Sequence, residues 1–99
     1  MTQKVKLDES TKYGIRMLIE DIKAITEEED LPFSTSDISN IKKYLRAVLS
    51  GKTKDSWWNE HDADDFLDIL RSDGFFDPEQ WMTESQMKKL KIKKNKIFD

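Results

Sequence analysis

The sequence predicts an all-α protein, a small single-domain bundle of four to five short helices. Apolar residues recur at helical spacing in several stretches, whereas no stretch of useful length alternates apolar and polar residues as a half-buried strand would. The chain holds only three glycines and two prolines, few for a protein built from many turns. With 99 residues there is room for one core, so residues 1–99 are expected to form one domain, with residues 1–7 and about 92–99 frayed.

Capping residues and prolines predict where the first two helices begin and end. The first helix is expected to begin at Asp8 or Ser10, whose side-chain oxygens can accept an unpaired backbone N–H, and to end before Pro32. The second is expected to begin within residues 34–36 and to end at Gly51, a residue suited to a left-handed position. The apolar stripes are Ile15, Leu18, Ile19, Ile22 and Ile25 in the first helix and Ile38, Ile41, Leu45, Val48 and Leu49 in the second.

The second half of the chain predicts shorter helices. A third helix is expected to end at Gly74, and Asp77 followed by proline indicates a short helical turn over residues 78–82. Thr83 and Gln86 match a capping box, which predicts a last helix from Thr83. The apolar positions are Ala63, Phe66, Leu67 and Leu70 in the third helix and Met87, Leu90 and Ile97 in the last.

The net charge of -3 conceals a strong asymmetry along the chain. Residues 1–54 carry ten basic and nine acidic side chains, and residues 85–99 carry six lysines and one aspartate. Residues 55–84 carry one basic and ten acidic side chains, a net charge of -9. An acidic block beside a basic tail indicates either internal ion pairing or two surfaces for different partners.

Residues 55–81 are the strongest candidate for a functional surface. They contain six of the ten aromatic residues and most of the acidic block. Exposed aromatics anchor protein interfaces, and surrounding charges steer a partner of opposite sign. Neighbouring side chains point about 100° apart on a helix, so one member of each pair, Trp57-Trp58 and Phe75-Phe76, is expected to be at least partly exposed.

This pattern predicts a non-enzymatic protein–protein interaction module, such as an inhibitor, adaptor or assembly factor, whose partner offers a basic or apolar groove. The abundance of Lys, Asp and Ile is typical of a phage or mobile-element product. A competing interpretation is that the aromatics simply fill the core of a short domain. The residues expected to contact the partner are Trp57, Trp58, Glu60, Asp64, Asp65, Asp68, Phe76 and Trp81.

The alternative function is nucleic-acid binding. The two helices around Pro32 could form a helix-turn-helix, with Asn, Arg and Lys of the second helix suited to bases and phosphates. Against this, the connection over residues 27–35 is longer than the usual tight turn and carries four acids that would repel phosphate. The residues expected to bind nucleic acid are Ser39, Asn40, Lys42, Lys43 and Arg46 on the second helix and Lys88 and Lys89 near the Lys-rich end.

Composition argues against catalysis and against a metal or cofactor. The chain has no cysteine, one histidine and no glycine-rich phosphate loop. His61 with Asp64, Asp65 or Asp68 could share a helix face, but a surface histidine among helix-start acids is the simpler interpretation. We therefore predict no catalytic residue, no metal ligand and no cofactor.

The sequence also bears on membranes, compartment and assembly. No apolar run approaches the roughly 20 residues that span a bilayer, and the first ten residues lack the apolar region of a signal peptide. Together with the absence of cysteine, these features predict a cytoplasmic protein without a membrane segment. A modest core and exposed aromatics are compatible with a homodimer.

Overall fold

The computed structural model describes residues 7–53 and 56–92. These residues form five α-helices and one 3₁₀ turn, without any strand, so the predicted all-α bundle is confirmed. In chain order the elements are α1 (Glu9–Glu28), α2 (Thr35–Leu49), the 3₁₀ turn (Ser56–Asn59), α3 (Ala63–Asp73), α4 (Pro78–Trp81) and α5 (Glu84–Leu90). In this described part, no helix combines the length and the hydrophobicity needed to cross a bilayer.

Short polar side chains set the helix starts, as the sequence predicts. Asp8, not Ser10, caps α1, since its carboxylate accepts the backbone N–H of Thr11 over 2.8 Å. Ser34 caps α2 and forms a reciprocal capping box with Asp37. The predicted box of Thr83 and Gln86 begins α5, and Asp62 with Asp65 forms a third box that begins α3.

Left-handed residues end four of the helices. Gly51 and Gly74 follow α2 and α3 with φ of 76° and 80°, as the sequence predicts for glycines at these positions. Asp30 and Lys91 adopt the same conformation after α1 and α5, with φ of 53° and 60°. Both are residues with a Cβ, so each carries a steric cost that glycine would avoid.

The helices pack around one core. The most extensive contact joins α1 and α2, while α3 packs on α1 and α5 packs on α2. A Cβ added to Gly14 would lie 3.4 Å from the Cβ of Ala63, so α1 and α3 approach closely there. The largest fully buried residues are Trp58, Tyr44, Phe66, Phe76, Ile15, Ile22, Ile41, Leu45, Leu70 and Pro78.

The end of α5 is tied to the core. Ile92 is buried, and its backbone N–H donates to the carbonyl of Met87 over 2.9 Å. The Nζ of Lys43 on α2 donates to the carbonyl of Lys91 over 3.0 Å. The fraying predicted for the chain ends concerns mainly residues 1–6 and 93–99, including Ile97, which lie outside the described residues.

Candidate interaction surfaces

Three of the aromatics proposed as partner contacts belong to the core. Trp58, Phe76 and Trp81 are only 2%, 0% and 9% exposed, so their proposed role as surface contacts is corrected. They surround Phe66, whose ring centroid lies 5.5, 6.2 and 4.8 Å from theirs. In so small a domain these large side chains supply the apolar area that folding requires.

The other member of each aromatic pair reaches the surface, as expected from the divergence of neighbouring side chains. Phe75 is 38% exposed beside the fully buried Phe76, and Trp57 is half-buried beside Trp58. Trp57 meets the edge of Trp58 at 4.8 Å between centroids and stacks on His61 at 4.2 Å with planes 4° apart. The accessible aromatic near the acids is therefore Trp57, partly covered by an imidazole ring.

The proposed acidic contacts, in contrast, are all exposed. Glu60, Asp64, Asp65 and Asp68, here called the acidic face, lie on α3 or just before it. The apolar side of α3 points into the core through Phe66, Leu67 and Leu70, which turns the intervening acids outward. Part of this charge has a structural role, because Asp65 completes the capping box of α3 and acids at a helix start are favoured by the macrodipole.

Arg71 is the one cation paired with the acidic face among residues 7–53 and 56–92. Its guanidinium holds Glu29 through two bonds, Nε to Oε1 at 2.7 Å and Nη2 to Oε2 at 2.8 Å. Its Nη1 donates to Asp68 over 2.8 Å. Hydrogen bonding to Arg71 lowers the pKa of Glu29, and hydrogen bonding to Glu29, then to Asp68, raises the pKa of Arg71. Arg71 is thus neutralised locally and leaves the acidic face negative.

His61 participates in packing against Trp57. Its Nδ1 lies 2.8 Å from the carbonyl oxygen of Trp57, while its ring stacks on the Trp57 indole. Within the part of the chain that the structure describes, no three His, Asp or Glu side chains are close enough to share a metal ion. The arrangement positions His61 as a cover for Trp57.

A second charged surface lies between α2 and α5. Two adjoining depressions of about 430 and 340 Å³ share Lys52 and Leu90 in their walls. We call them together the α2–α5 groove. Its lining residues are Lys43, Arg46, Ala47, Ser50, Lys52, Gln86, Lys89 and Leu90. Four of these eight are cations and no acid from residues 7–53 or 56–92 lines the groove, so its described lining is basic on a protein of net negative charge.

Only some of the residues proposed to bind nucleic acid line the groove. Lys43, Arg46 and Lys89 line it, whereas Asn40 is only 8% exposed and its proposed contact with a base is corrected. Asn40 is inside because the buried side of α2 runs through Asp37, Asn40 and Tyr44, between α1 and α5. Ser39, Lys42 and Lys88 are at least partly accessible but do not line the groove.

Sequence reasoning did not find Lys52, Ser50 or Gln86 as members of one site. Lys52 follows the end of α2 and Gln86 belongs to the capping box of α5, so neither shares a helical stripe with Arg46. Only the packing of α5 on α2 brings them together. Comparisons of the chain with known protein families, with curated proteins and with solved structures found no match.

Proposed function

We propose that this protein is a non-enzymatic binding module that docks a basic protein partner through the acidic face. The observation that carries the proposal is the outward placement of Glu60, Asp64, Asp65 and Asp68, with Arg71 as the one paired cation among the described residues. Like charges held close together on a folded scaffold repel one another, and a partner with Lys or Arg relieves this repulsion. Such a surface raises the association rate and selects partners by charge.

Trp57 adds an apolar contact point beside these charges. Its indole is half-buried and stacked on His61, so its orientation is fixed before a partner arrives. A rigid aromatic loses little conformational entropy on binding, which is why tryptophan is frequent among residues that dominate interface energies. Since Trp58, Phe76 and Trp81 stay in the core, the proposed interface is smaller and more electrostatic than the sequence suggested.

Charge reversal on α3 tests the proposal. The whole chain would capture its partner from its native host after nuclease treatment, and the purified pair would then be titrated. We expect Asp64→Lys with Asp68→Lys to lower the affinity at least about tenfold, mainly by slowing association. Circular dichroism and thermal melting should show an intact fold, because both positions are exposed.

A matched control makes the same change of charge elsewhere. Glu20→Lys with Asp21→Lys alters two exposed acids on α1 and should leave the affinity within about threefold of the parent. Unchanged binding by the α3 variant would contradict the proposal. An equal loss in both variants would also contradict it, because net charge rather than the acidic face would then govern binding.

Two narrower proposals accompany this function. We place the protein in the cytoplasm, because a chain without cysteine makes no use of an oxidising compartment. A homodimer remains a prediction, which light scattering of the whole chain tests directly.

A further inference from the structure

We propose that the α2–α5 groove binds the phosphate backbone of duplex nucleic acid without reading its bases. The site is distinct from the acidic face and does not depend on the function proposed for it. Lys43 and Arg46 come from α2, Lys52 from the segment after it, and Lys89 from α5. Four cations from three parts of the chain thus converge on one concave surface.

The groove is built before any ligand arrives. The Nζ of Lys43 donates to the carbonyl of Lys91, which holds the Lys43 side chain in place. Lys91 ends α5 in a left-handed conformation, and the next residue, Ile92, donates its backbone N–H to the carbonyl of Met87. Leu90 and Ala47 supply apolar contacts along which the alkyl parts of the lysines can lie. The four cations repel each other, since no acid of the described residues lies among them in the lining. A polyanion would remove that repulsion and release its own counterions.

The chemistry of the lining favours phosphate over bases. Asn40, the side chain best suited to adenine, is buried away from the surface. Among residues 7–53 and 56–92, no aromatic side chain lines the groove, so this part of the chain offers no platform there for stacking unpaired bases, as single-strand binding requires. Lys and Arg contacts to phosphate position a duplex but carry no sequence information.

The groove also fits a nucleic acid better than a membrane. A lipid surface is flat and is held by exposed apolar anchors together with basic residues. Here the cations line a concavity, and the exposed large apolar residues of the described chain, Tyr13, Met17 and Phe75, lie on other segments. A convex, regularly charged phosphate backbone is the complementary shape.

Fluorescence polarisation of labelled DNA duplexes at low salt tests the inference on the whole chain. Four phosphate contacts predict that the logarithm of the association constant falls with the logarithm of salt concentration with a slope of about -3 to -4. Two duplexes of unrelated sequence should bind within about twofold of each other, and single strands should bind no more tightly. Preference for one sequence above tenfold would overturn the inference.

Arg46→Glu with Lys89→Glu should weaken binding at least about tenfold and reduce the salt slope by about 2. Both residues are exposed, and neither forms the bond between Lys43 and Lys91, so the fold should persist by circular dichroism. Arg16→Glu with Lys23→Glu on α1 makes the same change of charge and should leave affinity nearly unchanged.

Three further outcomes would overturn the inference. Equal losses in the two variants would show that net charge alone governs binding, and unchanged binding by the Arg46 and Lys89 variant would place the contacts elsewhere. Binding of phosphatidylserine vesicles but not of duplexes, lost in the same variant, would assign the groove to membranes. A negative result for the groove would not affect the acidic-face proposal. That proposal is tested separately, by the affinity of α3 variants for a protein partner captured after nuclease treatment.

Discussion

The indole N–H of Trp58 donates a hydrogen bond to the hydroxyl of Tyr44 over 3.0 Å, with both side chains buried. The bond joins the 3₁₀ turn to the middle of α2. Replacement of Tyr44 by Phe would leave the indole N–H without this acceptor inside the core. We expect Tyr44→Phe to lower the free energy of unfolding by about 1 to 3 kcal/mol, as measured by urea denaturation.

The matched control is Tyr13→Phe on α1. Tyr13 is 63% exposed, so its hydroxyl is available to water in both the folded and the unfolded chain. The same chemical change should therefore alter the free energy of unfolding by no more than about 0.5 kcal/mol. Comparable losses in the two variants would rule out a stabilising role for the buried bond.

Phe75 and Phe76 provide a test of burial within one dipeptide. Phe76→Ala removes a ring that contacts both Tyr44 and Phe66, with centroids 6.0 and 6.2 Å away, and should cost about 3 to 5 kcal/mol. Phe75→Ala should cost about 1 kcal/mol or less, because that ring is already partly in water. Thermal or urea unfolding of both variants measures the difference, and the reverse order would contradict the assigned core.

Asp30 is a position where substitution should stabilise the protein. It has φ of 53° after α1, and its negative charge lies at a helix C-terminus, where the macrodipole disfavours it. Asp30→Gly should raise the free energy of unfolding by about 0.5 to 1 kcal/mol. Asp30→Asn removes the charge and keeps a residue that tolerates this conformation, so it separates the two contributions.

Gly51 allows the reverse substitution, in which a Cβ is added at a left-handed position. Its φ is 76°, and a Cβ added there would meet no atom within 4 Å. Gly51→Ala should therefore reveal backbone strain alone, a loss of about 1 kcal/mol in urea denaturation. A neutral result would indicate that the end of α2 can adopt another conformation at little cost.

The pair of Glu29 and Arg71 predicts how stability responds to acid. Hydrogen bonding to Arg71 lowers the pKa of Glu29 in the folded chain, so the pair stabilises the protein above the ordinary carboxyl pKa, about 4.3. That contribution is lost as pH falls through the lowered pKa of the folded state. The Glu29→Gln variant should melt at a lower temperature than the parent near neutral pH. Its melting temperature should also fall less than the parent's when the pH is lowered.

Glu28→Gln is the control for this measurement. It removes the same charge from the adjacent residue at the end of α1, but Glu28 is not part of the Arg71 pair. Its melting temperature should follow the parent's dependence on pH. Indistinguishable curves for Glu28→Gln and Glu29→Gln would show that general charge, and not the pair, sets the acid response.

The N-cap Asp8 also contributes to the loss of stability in acid, in the parent and in both variants. Its pKa in the folded chain is lowered by the hydrogen bond from the backbone N–H of Thr11.

Local rules predicted most of the fold. Ser34, Asp77 and Thr83 begin helices, and Gly51 and Gly74 end them, because caps act within a few residues of sequence. The predicted stripe of α2 was less accurate. Ile38 and Leu49 are only partly buried, while Tyr44 and Ala47 are inside. A helix that packs on two neighbours buries a broader arc than its aliphatic residues alone indicate.

The candidate surfaces were harder to predict for the same physical reason. Sequence spacing showed that one residue of each aromatic pair would be exposed, but not that Phe75 rather than Phe76 would be the exposed one. The choice depends on where the chain turns after Gly74. Likewise, Lys52 and Lys89 are 37 positions apart in the sequence and meet in one groove only through the packing of α5 on α2.

The aromatic cluster determines what optical spectroscopy can observe in this protein. All three tryptophans belong to it, since Trp57 meets Trp58 and Trp81 at 4.8 and 5.0 Å between centroids. Intrinsic tryptophan emission therefore reports on one region, and the half-buried Trp57 is the most accessible of the three tryptophans near the acidic face. None of the three tryptophans lines the α2–α5 groove, so we expect a ligand there to leave the tryptophan emission nearly unchanged. A single titration without any dye thus distinguishes which of the two surfaces a ligand occupies.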